Sequence, residues 1–320
     1  MLLARTLFIV FILSLSFIGP YKAFLSSYPE INKEFIEIES GSSMLSTLDI
    51  LNSGSLINNF YFKVFLKVNS ISSFQAGEYK ITGLTLQELF ARFVTGETYT
   101  HTITLIEGMN RYEIIELIKN SSLNNDCENL SCIDTNYPFK EGIFYPDTYF
   151  FKKGFNASSI LNNSHKKLNK VLTDIWISES NKGLLDNKYQ ALILASIIEK
   201  EAGNNTEKPV ISSVFLKRIT LGMKLQADPT IIYGLLPNFD GDIKKTDILD
   251  KNNLYNTYMI KGLPPTPISI SSLSSIEAAI TSEPGEYLFF VADSPTSHYF
   301  SKTYDEHLNM IKKVGLDKWK

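Results

Sequence analysis

The sequence predicts an α+β protein with an N-terminal transmembrane helix, a small α/β module and a larger mixed α+β domain. Three observations predict it. Residues Met1 to Ile18 are apolar apart from Arg5, Thr6 and two serines. Strand-like alternation occurs at Phe35-Ile36-Glu37-Ile38-Glu39 and again at Thr102-Ile103-Thr104-Leu105-Ile106, each ahead of helix-period segments. The apolar fraction is 44% of 320 residues, which supports two modest cores beyond the membrane segment.

The membrane segment is read as residues 1–25. Leu7 to Ile18 is too short to cross a bilayer, but Leu2 to Leu25 reaches roughly 20 residues, the usual spanning length. Pro20, Tyr21 and Lys22 mark an interfacial boundary, and Arg5 places the N-terminus in the cytoplasm. A cleaved signal peptide is the alternative. No Ala-x-Ala site follows the apolar run, which favours a retained anchor. Either reading exports the rest of the chain.

The module is expected over residues 35–98. After the first strand, Ser40-Gly41-Ser42-Ser43 turns the chain, and Ser43 or Ser46 caps a helix through Ile50 and Leu51. Leu56 to Val68 is a second helix, and Ala76 to Ile81 a strand entered through Gly77. Thr85 and Glu88 stand at capping-box spacing before a third helix that Gly96 ends.

The larger domain is expected over residues 101–320. Glu107-Gly108-Met109 turns its first strand into a helix over Tyr112 to Lys119. Asn120 to Pro138 is Asn- and Ser-rich and is read as irregular. Helices follow over Ala157 to Trp176, Lys188 to Ala202 and Pro209 to Thr220. Gly222 breaks the last of these, and Gln226 to Gly234 is read as a polar loop. Tyr287 to Asp293 has the pattern of a buried strand.

Composition excludes several functions. Net charge is −3 with both signs mixed along the chain, which argues against nucleic acid. Cys127 and Cys132 match no zinc spacing. They are either a disulfide-closed loop or two free thiols. The chain carries no Gly-x-Ser-x-Gly, Walker A, Gly-x-Gly-x-x-Gly or His-Glu-x-x-His.

The densest chemistry is Ala195-Ser196-Ile197-Ile198-Glu199-Lys200-Glu201-Ala202-Gly203. Glu199 and Glu201 end an apolar helix and lie about 200° apart around it. Glu201 shares its stripe with Leu194, Ile197 and Ile198, whereas Glu199 follows Leu192, Ala195 and Ser196. Glu201 is therefore the acid expected to meet apolar surroundings. Burial and the negative end of the helix dipole both raise its pKa. A carboxyl kept protonated near neutral pH donates to a leaving-group oxygen, as a glycosidase acid does. The competing reading is a solvated helix end.

Downstream, Gln226, Asp228, Thr230 and Tyr233 gather hydrogen-bonding groups beside Pro229, suited to hydroxyls and acetamido groups or, equally, to a capped turn. Three aromatic patches fit either a groove or a core: Glu141 to Phe150, which includes Asp147; Tyr255-Asn256-Thr257-Tyr258 with Gly262-Leu263-Pro264-Pro265-Thr266-Pro267-Ile268; and Tyr287 to Asp293, followed by His298, Phe300 and His307.

These segments, in this order, resemble the MltG (YceG-like) family of endolytic murein transglycosylases. The resemblance rests on Ala195 to Glu201, Leu221 to Gly234, Tyr255 to Tyr258 and Gly262 to Ile268, with Ala76-Gly77-Glu78-Tyr79, Glu107-Gly108-Met109 and Glu141 to Tyr149 upstream. It covers most of the chain. Ala202-Gly203 and Ala227 depart from positions where relatives often carry Thr. The resemblance implies a single-pass inner-membrane protein, a LysM-like module and a periplasmic catalytic domain, with Glu201 as catalytic acid/base. Gln226, Asp228, Thr230, Tyr233, Asn256 and Glu199 are the candidate sugar-binding residues. The implied substrate is the peptidoglycan glycan strand. Glu201 protonates the oxygen between MurNAc and GlcNAc, then accepts a proton from the MurNAc C6 hydroxyl as a 1,6-anhydro ring closes. That nucleophile is intramolecular, so one carboxyl suffices and no metal or nucleotide cofactor is expected. Cutting near the membrane limits strand elongation and brings the peptidoglycan synthesis machinery in as an implied partner. The alternatives are a non-catalytic peptidoglycan-binding protein, a hydrolase pairing Glu201 with Asp228 or Asp147, and a tethered assembly protein.

Overall fold

Period-two patterning at residues 35–38 buries Ile36 and Ile38 and leaves Glu37 exposed, as one face of a strand requires. The computed structural model describes residues 16–179 and 184–315. They divide into two units, one of residues 16–102 with Phe150–Phe155, the other of Ile103–Tyr149 with the chain from Asn156 onward.

In the first unit, Phe35–Ile38 (β1) pairs antiparallel with Gly77–Lys80 (β2), from Phe35 opposite Lys80 to Ile38 opposite Gly77. Residues 16–26 (α1), Met44–Ile50 (α2), Leu56–Val68 (α3) and Leu86–Thr95 (α4) are helices. Ser43 and Ser55 cap α2 and α3, Thr85 and Glu88 close a capping box on α4, and α4 stops at the left-handed Gly96. Apolar stripes of these helices meet the inner faces of β1 and β2. The core is aromatic, with the Phe90 ring 4.9 Å from that of Phe62 and 5.3 Å from that of Phe65. Phe24 and Leu25, expected to end the membrane span, are buried in this core instead. The rest of the expected span is mostly residues 1–15, which lie outside the described residues. Among the described residues no helix is long and apolar enough to cross a membrane.

The second unit is built on helices. His101–Leu105 (β3) pairs with Asp147–Phe151 (β4), the two strands carrying the chain across the division between units. Arg111–Lys119 (α5) opens with a capping box between Asn110 and Glu113. The segment read as irregular contains a 3₁₀ turn at Glu128–Leu130, and Cys127 and Cys132 form a disulfide. Ala157–Glu179 (α6), Lys188–Glu201 (α7) and Lys208–Thr220 (α8) follow. Every residue of α7 from Ala191 to Ile198 is buried. A helix apolar all round belongs inside, and α7 packs against α6, α8 and Leu273–Thr281 (α11).

Two expectations are corrected. Residues read as a polar loop form the helix Asp228–Leu235 (α9). Pro229 presets its backbone angle and lacks the N–H that a helix start leaves unpaired, and Asp228 suits the positive end of the dipole. Residues read as a buried strand form Phe289–Ser294 (β5), which is half-buried to exposed. Among the described residues it pairs with Ser297–Ser301 (β6) alone, in a two-stranded hairpin on which Tyr304–Val314 (α12) packs. A short helix at Lys245–Ile248 (α10) precedes the loop that returns to α11.

Candidate active site

The last turn of α7 sends its two acids to different helices. The Glu199 carboxylate meets the start of α11. Its Oε2 accepts from the Ser272 N–H at 2.9 Å, the Ser272 hydroxyl at 2.5 Å and the Ser275 hydroxyl at 2.6 Å. The buried Lys208 Nζ lies 3.2 Å from the same oxygen and also donates to Ser272 and Ser274. Burial pushes this carboxyl up, but the donors and the ammonium outweigh it and hold the pKa below the usual carboxylate range. Glu199 is an anion held by polar donors, at the wall of a cavity of about 520 Å³ that Lys208, Ser272 and Ser274 also line.

Glu201 has the opposite environment. Its half-buried carboxyl meets the start of α9, where the Asp228 N–H donates to it. Burial, then the Asp228 carboxylate, push its pKa up to about 8, against the pull of Arg218 and the Asp228 N–H. Two carboxyls two residues apart are thus driven in opposite directions, one kept charged and one kept protonated at neutral pH.

Around Glu201 the chain supplies a rigid polar frame. Arg218 is buried; its Nε donates to the Leu288 carbonyl and its Nη1 to the Leu225 carbonyl, both at 2.7 Å. Its guanidinium stands 5.3 Å above the Phe289 ring. Gln226 is exposed, with a left-handed φ of 54°. That conformation costs about 1–3 kcal/mol and persists only where neighbours fix it. Its N–H donates to the Thr257 carbonyl at 3.2 Å, and its Oε1 accepts from Arg218 at 3.4 Å. Asp228 Oδ1 accepts from the Tyr258 hydroxyl at 2.7 Å. A cleft of about 260 Å³ opens here, lined by Arg218, Gln226, Tyr258, Phe289, Tyr304 and His307 among others.

The structure therefore gathers Glu201, Gln226 and Asp228 around Arg218. The other candidates stand elsewhere. Thr230 is fully buried, with its hydroxyl 2.9 Å from that of Thr257 and donating to the Ala227 carbonyl. Asn256 is fully buried, and its Nδ2 donates to the carbonyls of Asp247, Ile248 and Asp250, each at 3.0 Å. Thr230 ties the Ala227 turn between Gln226 and Asp228 to Thr257, and Asn256 closes the turn at Asp247–Asp250. Asp147 lies exposed on β4, paired with Lys167.

Tyr233 donates to the Glu141 carboxylate at 2.7 Å. Glu141 is buried, also accepts from the Arg111 and Gly142 N–H groups, and is pushed up to about 7 by burial against those donors. Gly142 holds a φ of +67°, and a Cβ there would overlap Pro267 and sit 2.7 Å from the Ser269 carbonyl oxygen. Gly142→Ala is expected to cost about 2 kcal/mol or more, read as a lowered urea midpoint. The sequence patterns single out neither Arg218 nor Lys208, and they place Glu141 and Tyr258 only within patches that fit a groove or a core. Arg218 sits in Lys217-Arg218 near a helix end, where a solvated pair is the ordinary reading. Only its spacing from the apolar Val214 and Phe215 pointed inward.

The chain is similar over most of its length to proteins already described. A Bacillus subtilis (strain 168) protein described as an endolytic murein transglycosylase is 30% identical over 298 residues, 85% of this chain and 82% of its own. A Streptococcus pneumoniae protein with the same description is 28% identical over 171 residues, which is 52% of this chain and 31% of that relative's length. The crystal structure of a YceG-like protein from Listeria monocytogenes superposes with a TM-score of 0.55 at 28% identity, covering 86% of this chain and 98% of its own. The profile of the YceG-like family spans residues 36–313, both units together, and the chain belongs to that family.

Proposed function

We propose that this chain is an endolytic murein transglycosylase that cuts peptidoglycan glycan strands and leaves 1,6-anhydro-MurNAc ends. The observation that carries the reading is Glu201, a carboxyl pushed up to about 8 next to Arg218 and Tyr258, which line a cleft. It gives its proton to the oxygen linking MurNAc to GlcNAc as the bond to the anomeric carbon breaks. The anion that forms is met by the Asp228 N–H and by Arg218, both already in place. The MurNAc C6 hydroxyl then attacks the anomeric carbon and returns its proton to Glu201. No water is consumed, and the carboxyl ends protonated as it began. Gln226 and Asp228 orient the sugar. Thr230, Asn256 and Tyr233 act at one remove by fixing α9 and its approach, and Glu199 fixes the turn that carries Glu201.

The same reading makes the apolar N-terminal run a single-pass anchor in the bacterial inner membrane, with the enzyme on the far side. The Cys127–Cys132 disulfide supports export, since such bonds persist in oxidising compartments. The first unit serves as a LysM-like glycan-binding module, and the synthesis machinery is the natural neighbour of an enzyme that cuts new strands. Mass spectrometry of glycan products tests the activity. Anhydro ends from the native chain are expected. Reducing ends would assign a hydrolase, and intact strands a binding protein.

A further inference from the structure

The first unit carries an apolar surface that its own core leaves uncovered. α3 turns Phe62 and Phe65 inward. Its opposite stripe follows helical spacing through Leu56, Phe60, Lys63 and Lys67, with Ile57 beside it. Leu56 is 91% exposed, Ile57 65% and Phe60 55%. Large apolar side chains gathered in water mark a surface that meets something else.

The neighbour of this patch is α1. Phe17 and Ile18 stand exposed at its start, and the Phe17 ring lies 6.1 Å from that of Phe60 and 5.7 Å from that of Tyr61. Further along α1, Phe24 enters the core against Phe90. The end of α1 that lies on the patch is therefore the end that follows residues 1–15, which are apolar apart from Arg5, Thr6 and Ser14. Charge points the same way. α1 and α3 carry Lys22, Lys63 and Lys67 and no acid, in a chain of net charge −3. On the outer stripe of α3 the apolar residues fill the first half and the lysines the second. A helix divided like this lies in a bilayer interface, its lysine stems along apolar surface and their ammonium groups at headgroup level.

We propose that the outer face of α3, with Phe17 and Ile18, is a second membrane contact. It sets Leu56, Ile57 and Phe60 among acyl chains of the bilayer that holds the anchor, and Lys63 and Lys67 against anionic headgroups. The proposal rests on the anchor reading above, and adds that the first unit is held in one orientation instead of swinging on a tether.

The full-length chain in vesicles of phosphatidylethanolamine and phosphatidylglycerol tests this. Both native cysteines are in the Cys127–Cys132 bridge, so an introduced cysteine alone takes an environment-sensitive fluorophore. Leu56→Cys and Ile57→Cys read the patch, and Glu97→Cys, at an exposed acid beyond the end of α4, is the control. Lipids brominated in their acyl chains should quench the label at positions 56 and 57 at least about threefold more than at position 97, as insertion below the headgroups requires. Adding Lys63→Glu and Lys67→Glu should cut that difference about twofold or more, by setting acids against anionic lipid. All of these side chains are exposed, and circular dichroism checks that each variant is folded. Flotation through a density gradient separates the two readings. A chain that floats with the vesicles but is quenched equally at positions 56, 57 and 97 overturns this proposal alone. A label shielded from brominated lipid and from aqueous iodide alike also overturns it, since protein then covers the patch, either residues 1–15 or a second copy. A chain that does not float removes the anchor and this contact together.

Discussion

Glu201→Gln is expected to lower kcat for anhydro-product formation about 10³-fold, the range in which a positioned acid/base contributes, while the chain stays folded. Glutamine keeps the shape of the side chain and can still accept from the Asp228 N–H. What it lacks is the transferable proton. Glu201→Asp tests position separately: withdrawing the carboxyl by one methylene is expected to cost about 10²-fold, since misplacement of this order carries that penalty. Product formation by Glu201→Gln at more than a tenth of the native rate would remove Glu201 from the mechanism.

The pH profile follows from the same group. Glu201 works first as an acid, so the active form is protonated. With its pKa pushed up to about 8 by burial and Asp228, kcat/KM should hold level toward neutral pH and fall as pH rises through about 8. Asp228→Asn removes the neighbouring charge and should move that alkaline limb to lower pH. Stability has a matching sign. A carboxyl whose pKa is higher folded than unfolded stabilises the fold while protonated, and that contribution is lost as pH rises through the folded value. Glu201→Gln removes the loss, so at pH 9 it should melt above the native chain. Equal melting at pH 9 would mean that the carboxyl is better solvated than its surroundings imply.

How far these features can be read from the chain alone depends on how local their causes are. The helix at Leu56–Val68, the Thr85–Glu88 capping box and the stop at Gly96 arise from residues within one turn of each other, and they stand where the pattern puts them. The opposite faces of Glu199 and Glu201 are likewise a matter of helical pitch. What pitch cannot give is the partner. The apolar-stripe argument leaves Glu199 on the less favoured face, yet α7 is buried around its whole circumference, and Glu199 is enclosed as well. Its charge survives because α11 and α8, more than five residues away in sequence, bring donors to it. The start of α9 was hidden for a related reason. Proline and polar residues after a glycine read as a loop, whereas Pro229 in a first turn and Asp228 on a helix dipole are also a helix start. Only the fit of that helix against Glu201 distinguishes the two. Arg218 is legible in three dimensions alone, because its meaning lies in the carbonyls, ring and cleft that it meets.

Lys208→Ala is expected to destabilise the second unit by about 3–5 kcal/mol, the cost of leaving one member of a buried ion pair without its counter-charge. Lys208 is 4% exposed, and its ammonium is enclosed by Glu199, Ser272 and Ser274. Removing it leaves an anion facing hydroxyls and one backbone N–H, with no positive charge beside it, at the junction of α7, α8 and α11. Urea unfolding monitored by tryptophan fluorescence gives the midpoint. The double variant Glu199→Gln with Lys208→Met should recover at least half of the loss, because a neutral amide still accepts from Ser272 and the aliphatic chain still fills the space. These variants also separate two roles for Glu199. If it holds the end of α7, activity should follow stability, and Glu199→Gln alone should keep its KM at temperatures where it is folded. A KM raised about tenfold at native stability would return Glu199 to the sugar-binding surface, with the cavity that it lines taking substrate.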